Sequence, residues 1–274
     1  MSTIFFFLFG ILIGSFLNVV IFRLQTEESI GGRSHCRDCK SVIRWYDNIP
    51  VLSYLILGGK CRHCVSIISK QYPCVELATG VLFALIGQYI FHIDNVASYG
   101  PTVFYLGLVA MLAVIFVYDL STMYIPMIMV WIALAWTVIY YSLSTYAGYA
   151  STVSSSAVVQ FFTPLPQSLT VYIASAFGAF LFFWILVAVS KETWMGMGDA
   201  YLAILVGLIA GFPGTLWTLT FSFGAGALIG IALVAFGKKG MKSQVPFAPF
   251  MTLGLLAFIV LPKIFPQLQY YLMW

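Results

Sequence analysis

Two sets of residues in this 274-residue chain have the types and spacing for chemistry. The first is cysteine. Four of the five cysteines form Cys36-x-x-Cys39 and Cys61-x-x-Cys64, with 21 residues between the pairs. Two thiolate pairs of this kind can close a tetrahedral zinc site, and four sulfurs leave no position open for water, so such a zinc is structural. The gap slightly exceeds the roughly 15–20 residues usual for the pattern. His35 and His63 adjoin the pairs and could replace a ligand, although four thiolates already complete the shell. A lone Cys-x-x-Cys would equally suit a redox pair. Cys74 stands apart at the start of an apolar run and reads as a small buried residue.

The second set is a pair of acids at the lips of apolar segments. Asp119 ends the run in "FVYDLSTMYIP", and Asp199 opens one in "MGMGDAYLAILVGLIAGF". Ionisable groups at membrane depth are costly and point to function. Two close carboxylates cannot easily both ionise, so one keeps a proton while the other stays charged. Such a dyad can activate water as a general base and protonate a leaving amine as a general acid. The plainer reading makes each acid a helix-end residue in the headgroup region, with Asp199 favoured in a first turn by the helix dipole. Gly196 and Gly198 permit positive φ and close backbone approach, which suits an extended substrate strand lying against the loop. Among the other acids, Glu76 is the credible third member of the set. Asp94, with His92, falls on the opposite side of the membrane. Asp38 and Asp47 belong to the cysteine segment, and Glu27, Glu28 and Glu192 read as loop surface.

Positioning these groups requires a membrane fold. The chain is 61% hydrophobic and 8% charged with mean hydropathy +0.98, against about 25% charged residues in soluble domains. A spanning helix needs about 20 apolar residues. Candidate spans are 3–22, 74–92, 102–118, 125–143, 169–190, 199–211, 214–236 and 247–266, with Pro213 and Gly214 dividing the sixth from the seventh. The first lacks a preceding basic region and a small-residue cleavage site and reads as a retained helix rather than a signal peptide. Gly10 and Gly14 within it suit close helix packing, and Asn18 needs a hydrogen-bond partner in the bundle.

Eight of the thirteen Lys and Arg lie in 23–72, and the net charge is +4. Cytoplasmic loops collect such residues, so this stretch reads as topology rather than as a nucleic-acid surface. If 23–72 is cytoplasmic and the N-terminus outside, 119–124, 191–198 and 237–246 fall inside, and twelve of the thirteen basic residues share one face. Asp119 and Asp199 then lie on that same face and could meet. Residues 144–168 read as an outside loop. The run Val51–Leu57 is too short to span and could fill a small core or lie at the interface, where Trp45 and Tyr46 are suited. No repeat of fixed period is evident. The expected fold is an all-α polytopic membrane protein of about eight transmembrane helices, with a small cytoplasmic zinc-binding module between helices 1 and 2. Its parts are 1–22, a first helix; 23–72, the four-cysteine zinc module; and 73–274, a transmembrane catalytic domain.

Several stretches in order resemble one family. They are "GSFLNVVIFRL" (14–24), the two Cys-x-x-Cys pairs around "IRWYDNIPVLSYL" (43–55), "ISKQYPCVEL" (68–77), "YDLSTMYIP" (118–126), "GMGDAYLA" (196–203) and "PFAPFMTLG" (246–254). Together they resemble the bacterial type IV prepilin peptidases (leader peptidases), Gly-x-Gly-Asp intramembrane aspartic peptidases, over nearly the whole chain. The resemblance implies cleavage, after a glycine, of the short basic leader of type IV prepilins and pseudopilins at the cytoplasmic face of the inner membrane. It also implies N-methylation of the new amino terminus, commonly a phenylalanine, from S-adenosylmethionine. By motif position it makes Asp119 and Asp199 catalytic and Cys36, Cys39, Cys61 and Cys64 the zinc ligands. The chain departs from the family's pattern at Tyr201, commonly a lysine, and at Met127, often Asp or Asn.

No glycine-rich nucleotide fingerprint is visible, so no residues are assigned to S-adenosylmethionine. Other readings stay open at this stage. One is a transporter or ion carrier using the membrane-edge carboxylates, which would carry acids near the midplane and repeated halves. Another is a peptidase lacking the methyltransferase activity, and a third is a membrane-tethered redox or metal scaffold. Expected partners are the prepilin substrates and membrane lipids; the oligomeric state is open.

Overall fold

The computed structural model describes residues 2–94, 98–150, 169–236, 245–265 and 267. Their regular secondary structure is all helical apart from two isolated β-bridges. The helices are α1 (Ser2–Thr26), a 3-10 turn (Trp45–Asn48), α2 (Leu52–Ile56), α3 (Gln71–Tyr89), α4 (Tyr99–Thr122), α5 (Met127–Ala150), α6 (Leu169–Ser190), α7 (Met197–Ala235) and α8 (Ala248–Ile264). Five of them, α1, α4, α5, α6 and α7, are long and apolar enough to cross a membrane. That makes the chain a multi-pass membrane protein. Each expected span falls on a helix, but α3 is not among the five, and α8 is short, with 17 residues.

The expected sixth and seventh spans form one 39-residue run, α7. A straight helix of that length would measure about 58 Å, against a hydrocarbon core of about 30 Å. The run is broken at Gly211 (φ 60°, ψ −168°) and Phe212 (φ −101°, ψ 135°), just before Pro213. The Gly211 conformation is essentially closed to residues with a Cβ, and Pro213 supplies no N–H to the following turn. The break therefore sits one or two residues before the Pro213–Gly214 boundary expected from the sequence. Helix α5 also outruns its expected end, so 144–150 are helical rather than loop. The rest of the expected outside loop, 151–168, and Lys238, Lys239 and Lys242 lie outside the described residues.

The chain forms two compact units: residues 1–91 with 105–114, and 92–104 with 115–274. In the first unit α1 and α3 lie side by side in opposite directions. A Cβ on Gly10 would come within 2.7 Å of Phe83 Cβ and 2.8 Å of Gly80 Cα, and one on Gly14 within 2.7 Å of Glu76 Cα. The pair of glycines is thus a backbone seam, the close approach that small residues allow between membrane helices. Asn18 donates to the Tyr72 carbonyl at 3.1 Å, so its partner is the start of α3. In the second unit α7 packs against α6 and α8. There a Cβ on Gly207 would fall 2.3 Å from Ala176 Cα, and one on Gly254 2.8 Å from the Thr218 carbonyl oxygen.

Between α1 and α3 the cysteine segment folds as two matching knuckles. In the first, the Cys36 N–H donates to the Ser41 carbonyl, the Lys40 N–H donates to the Cys36 carbonyl, and His35 bridges Val42. In the second, the Cys61 N–H donates to Ser66, the Val65 N–H donates to Cys61, and Lys60 bridges Ile67. Lys40 and Val65, each following the second cysteine of its pair, take φ of 56° and 59°. "CRDCKSVI" (36–43) and "CRHCVSII" (61–68) are one motif used twice. This short repeat is legible in the sequence once a knuckle rather than a long period is sought.

Candidate functional site

Asp119 lies in the last turn of α4, which Met123 closes in a left-handed conformation with its N–H on the Asp119 carbonyl at 2.8 Å. Asp199 lies in the first turn of α7, three residues after the Gly196 N-cap. Its carboxylate accepts the Gly196 N–H, the reach-back of a capping box. Asp119 accepts the Ala248 N–H at the start of α8. The charge of Asp119 acts on Asp199, so the second unit brings the two carboxylates together. They are 3% and 8% exposed. Each acid is thus at a helix end, as the plainer reading has it, but is shielded from solvent. Asp119 Oδ2 is buried without a hydrogen-bond partner among the described residues. A buried carboxylate oxygen with free lone pairs is costly unless something binds it.

The glycines before Asp199 act differently from the expectation. Gly196 has φ −85° and ψ 160°, and Gly198 is helical; among the described glycines positive φ occurs at 32, 58, 59 and 211. Backbone freedom is therefore not their contribution. Gly198 gives close approach instead: a Cβ there would sit 3.1 Å from the Ile125 side chain, in the turn after Asp119. At Gly196 a Cβ would meet nothing nearer than 4.0 Å.

Two residues expected near the dyad belong to the first unit. Glu76 is 5% exposed, and its Oε2 accepts the Val51 N–H at 2.7 Å. Val51 has φ 60° and ψ −51°, a strained conformation for a β-branched residue. Glu76 thus holds the turn that starts α2. Asn18 is the other, and its partner at the start of α3 lies in that unit as well. Arg23, 4% exposed, was not singled out by the sequence. Its guanidinium donates to the carbonyls of Ser29, Ile30, Gly31, Gly32 and Arg33, tying the module's first loop to the end of α1. The signal for it was an arginine inside an otherwise apolar helix, followed by a Gly-Gly loop.

The four cysteine sulfurs lie within 4.8 Å of one another, with Cys36 and Cys64 3.8 Å apart. Zinc–sulfur bonds of about 2.3 Å at tetrahedral angles place sulfurs about 3.8 Å apart, so the cluster fits a zinc ion. The Ser66 hydroxyl, 3.0 Å from Cys64 Sγ, and then the Ser66 backbone hold the Cys64 thiol down at about 6. Cys64 is therefore a thiolate at neutral pH, the form a metal requires. Arg62 clamps Asp47 through two nitrogens, at 2.9 and 2.6 Å. That hydrogen bond and the guanidinium charge keep the Asp47 carboxyl below the usual range. Glu28, read from the sequence as solvated, faces His35 at 3.6 Å and Lys40 at 3.8 Å.

Tyr201 packs between Trp131 of α5 and Phe180 of α6, with ring centroids 5.5 and 6.0 Å away. The position that is commonly a lysine in the resembled family is here part of an aromatic cluster. Met127 is the first residue of α5.

Comparisons with known proteins match the chain in two successive segments. Residues 8–90 match the bacterial peptidase A24 N-terminal domain, and residues 106–231 match the type IV leader peptidase family. The chain is 30% identical to the type 4 prepilin-like proteins leader peptide-processing enzyme of Escherichia coli, over 93% of each protein. It is 31% identical to a prepilin leader peptidase/N-methyltransferase of Klebsiella pneumoniae, over 78% of this chain and 88% of the relative. A protein of that same name in Myxococcus xanthus is 31% identical over 88% of this chain, and the match spans 66% of its own length. No solved structure matches. The cysteine knuckles fall inside the first matched segment and both buried aspartates inside the second, and on that agreement of sequence and site the chain belongs to the type IV leader peptidase family.

Proposed function

We propose that this protein removes the short basic leader from type IV prepilins or pseudopilins and N-methylates the new amino terminus. The observation that carries the peptidase reading is the pair of buried, charge-coupled carboxylates Asp119 and Asp199 at two helix ends. In this reading one carboxylate takes a proton from water, which attacks the scissile carbonyl directly. The other protonates the leaving amine, and no covalent enzyme intermediate forms. The unpartnered Asp119 Oδ2 is a place for that water. Gly198 lets the start of α7 close onto Ile125 in the turn after Asp119, which supports a fixed spacing of the two carboxylates. The transporter reading requires midplane acids in repeated halves; here both acids are in terminal turns.

Zinc, held by Cys36, Cys39, Cys61 and Cys64, fixes the fold of the module and takes no part in the chemistry. S-adenosylmethionine would supply the methyl group. Only isolated bridges occur among the described residues, so the strand-to-helix glycine turn of many nucleotide sites offers no guide to its location. The orientation proposed is N-terminus outside, with module and aspartates at the cytoplasmic face of the bacterial inner membrane, following the Lys and Arg distribution.

The test is leader removal from a co-expressed prepilin. Asp119→Asn and Asp199→Asn should each lower cleavage by about 10²–10⁴-fold, the range that acid–base groups contribute. Full cleavage by either variant would sink the dyad. The mass of the product amino terminus, with and without S-adenosylmethionine, separates the bifunctional enzyme from a peptidase alone.

A further inference from the structure

The segment Val51–Leu57, too short to span, has a use that neither the dyad nor the zinc explains. It was expected to fill a small core or lie at the interface. Leu52, Leu55 and Ile56 of α2 are spaced i, i+3, i+4 and so share one face of the helix. They are 51%, 68% and 70% exposed, which excludes the core. Trp45, on the 3-10 turn packed beside α2, is 77% exposed. Beyond the Gly58–Gly59 turn, Ile67 is 84% exposed and bridges Lys60. Exposed apolar side chains gathered on one face and rimmed by polar groups mark a docking surface.

We propose that this face rests on the lipid bilayer, with Trp45, Leu52, Leu55 and Ile56 in the headgroup–acyl boundary and Arg44 and Lys60 against anionic headgroups. Three observations select lipid over another protein. The module is tied at both ends: α1 enters it at Thr26 and α3 leaves it at Gln71, and the Asn18–Tyr72 hydrogen bond and the Gly10–Gly14 seam hold those helices together. Because α1 is a span, α3 runs into the same membrane beside it, and the 44 residues between them start and end at the bilayer surface. The composition is interfacial, an exposed Trp and aliphatics beside cations. The charge is complementary: residues 23–70 carry eight Lys and Arg against four Asp and Glu, a surplus that a tetrathiolate zinc would halve but not reverse. Val51, held in its strained turn by the buried Glu76, sets the direction in which α2 leaves the 3-10 turn. The inference rests on α1 as a span and not on the peptidase reading.

The experiment uses the full chain in nanodiscs of phosphatidylglycerol and phosphatidylcholine, with a fluorescent amino acid at position 52. Brominating the acyl chains should quench it about twofold, as expected for a side chain at the boundary depth of interfacial helices. Leu55→Glu with Ile56→Glu should abolish the quenching while zinc content stays unchanged, which separates lost docking from misfolding. Phosphatidylcholine alone should give weaker quenching. Three results overturn the proposal: solvent-like emission without quenching, shielded emission without quenching (a face covered by a second copy or another protein), and quenching that survives the double substitution. Equal quenching in both lipids overturns the role given to Arg44 and Lys60. None of these readings depends on cleavage, so a failed dyad and a failed docking face are told apart.

Discussion

Asp119 and Asp199 were placed at a membrane edge by the apolar runs beside them, and an edge acid is ordinarily a hydrated one. Burial changes that, because Asp119 is tied to the Ala248 N–H at the start of α8, Asp199 to the Gly196 N–H of its own cap, and both are closed off from solvent. The adjacent glycines then separate in meaning. Ile125 fills the space that a Gly198 side chain would need, so Gly198→Val should push the loop after Asp119 and lower cleavage at least about tenfold, in line with the cost of small misplacements of catalytic groups. Gly196 is extended with open space at its Cβ, so Gly196→Ala should keep near-normal rates in the same prepilin assay. The zinc ligands carry a proton prediction. With the Cys64 thiol near 6, zinc uptake by the apo protein at pH 8 should release fewer than four protons, and at pH 5 at least one more. The sign follows from Cys64 being already ionised above its value and protonated below it. Calorimetry in buffers of different ionisation heat measures both counts.

Helix positions were legible from the apolar runs, because a bilayer imposes a length that composition records directly. Ends and joins were less so. Helix α5 continues to Ala150 through Ser, Thr and Gly, residues that read as loop in water yet continue a helix already begun. The α7 break was assigned to Pro213–Gly214, but the residue that turns is Gly211. One glycine among many in an apolar run does not announce its φ. The Gly10–Gly14 motif was readable as packing, though not its partner. That partner is α3, against which Gly14 leaves no room for a Cβ. Gly14→Leu should therefore separate α1 from α3 and cost about 1–3 kcal/mol, the range for overpacking a close contact. Thermal unfolding of the detergent-solubilised protein reads it. A Gly178→Ala control, with nothing within 4 Å of its Cβ, should leave the midpoint in place.

At the scale of the molecule, the chain divides its chemistry. One unit holds the cysteine knuckles, the Arg23 clamp and Glu76, and the other holds both aspartates. The sequence singled out both sets of residues, since thiolate pairs and membrane acids are rare enough to stand out. It could not assign Glu76 and Asn18, because their partners, Val51 and Tyr72, are backbone groups that leave no trace in residue type. The same division sets what zinc removal should do. The module has almost no apolar core of its own: the 3-10 turn and α2 contain no buried residue. Its order would therefore come from a metal held by the four cysteines and from its ties to α1 and α3, since metal-binding free energy in such modules is folding free energy. Helices α1 and α3, by contrast, are held by their glycine seam and by the length of apolar surface they share. Chelating the zinc in the full-length protein should make residues 33–68 sensitive to protease while the spanning helices persist. Far-UV circular dichroism should change little, because the module contributes only nine helical residues, the four of the 3-10 turn and the five of α2. Replacing all four cysteines with serine should give the same proteolytic pattern without chelator. A large loss of helicity on chelation would instead mean that the zinc holds the spans together, and the module would then be part of the membrane core rather than a domain mounted on it.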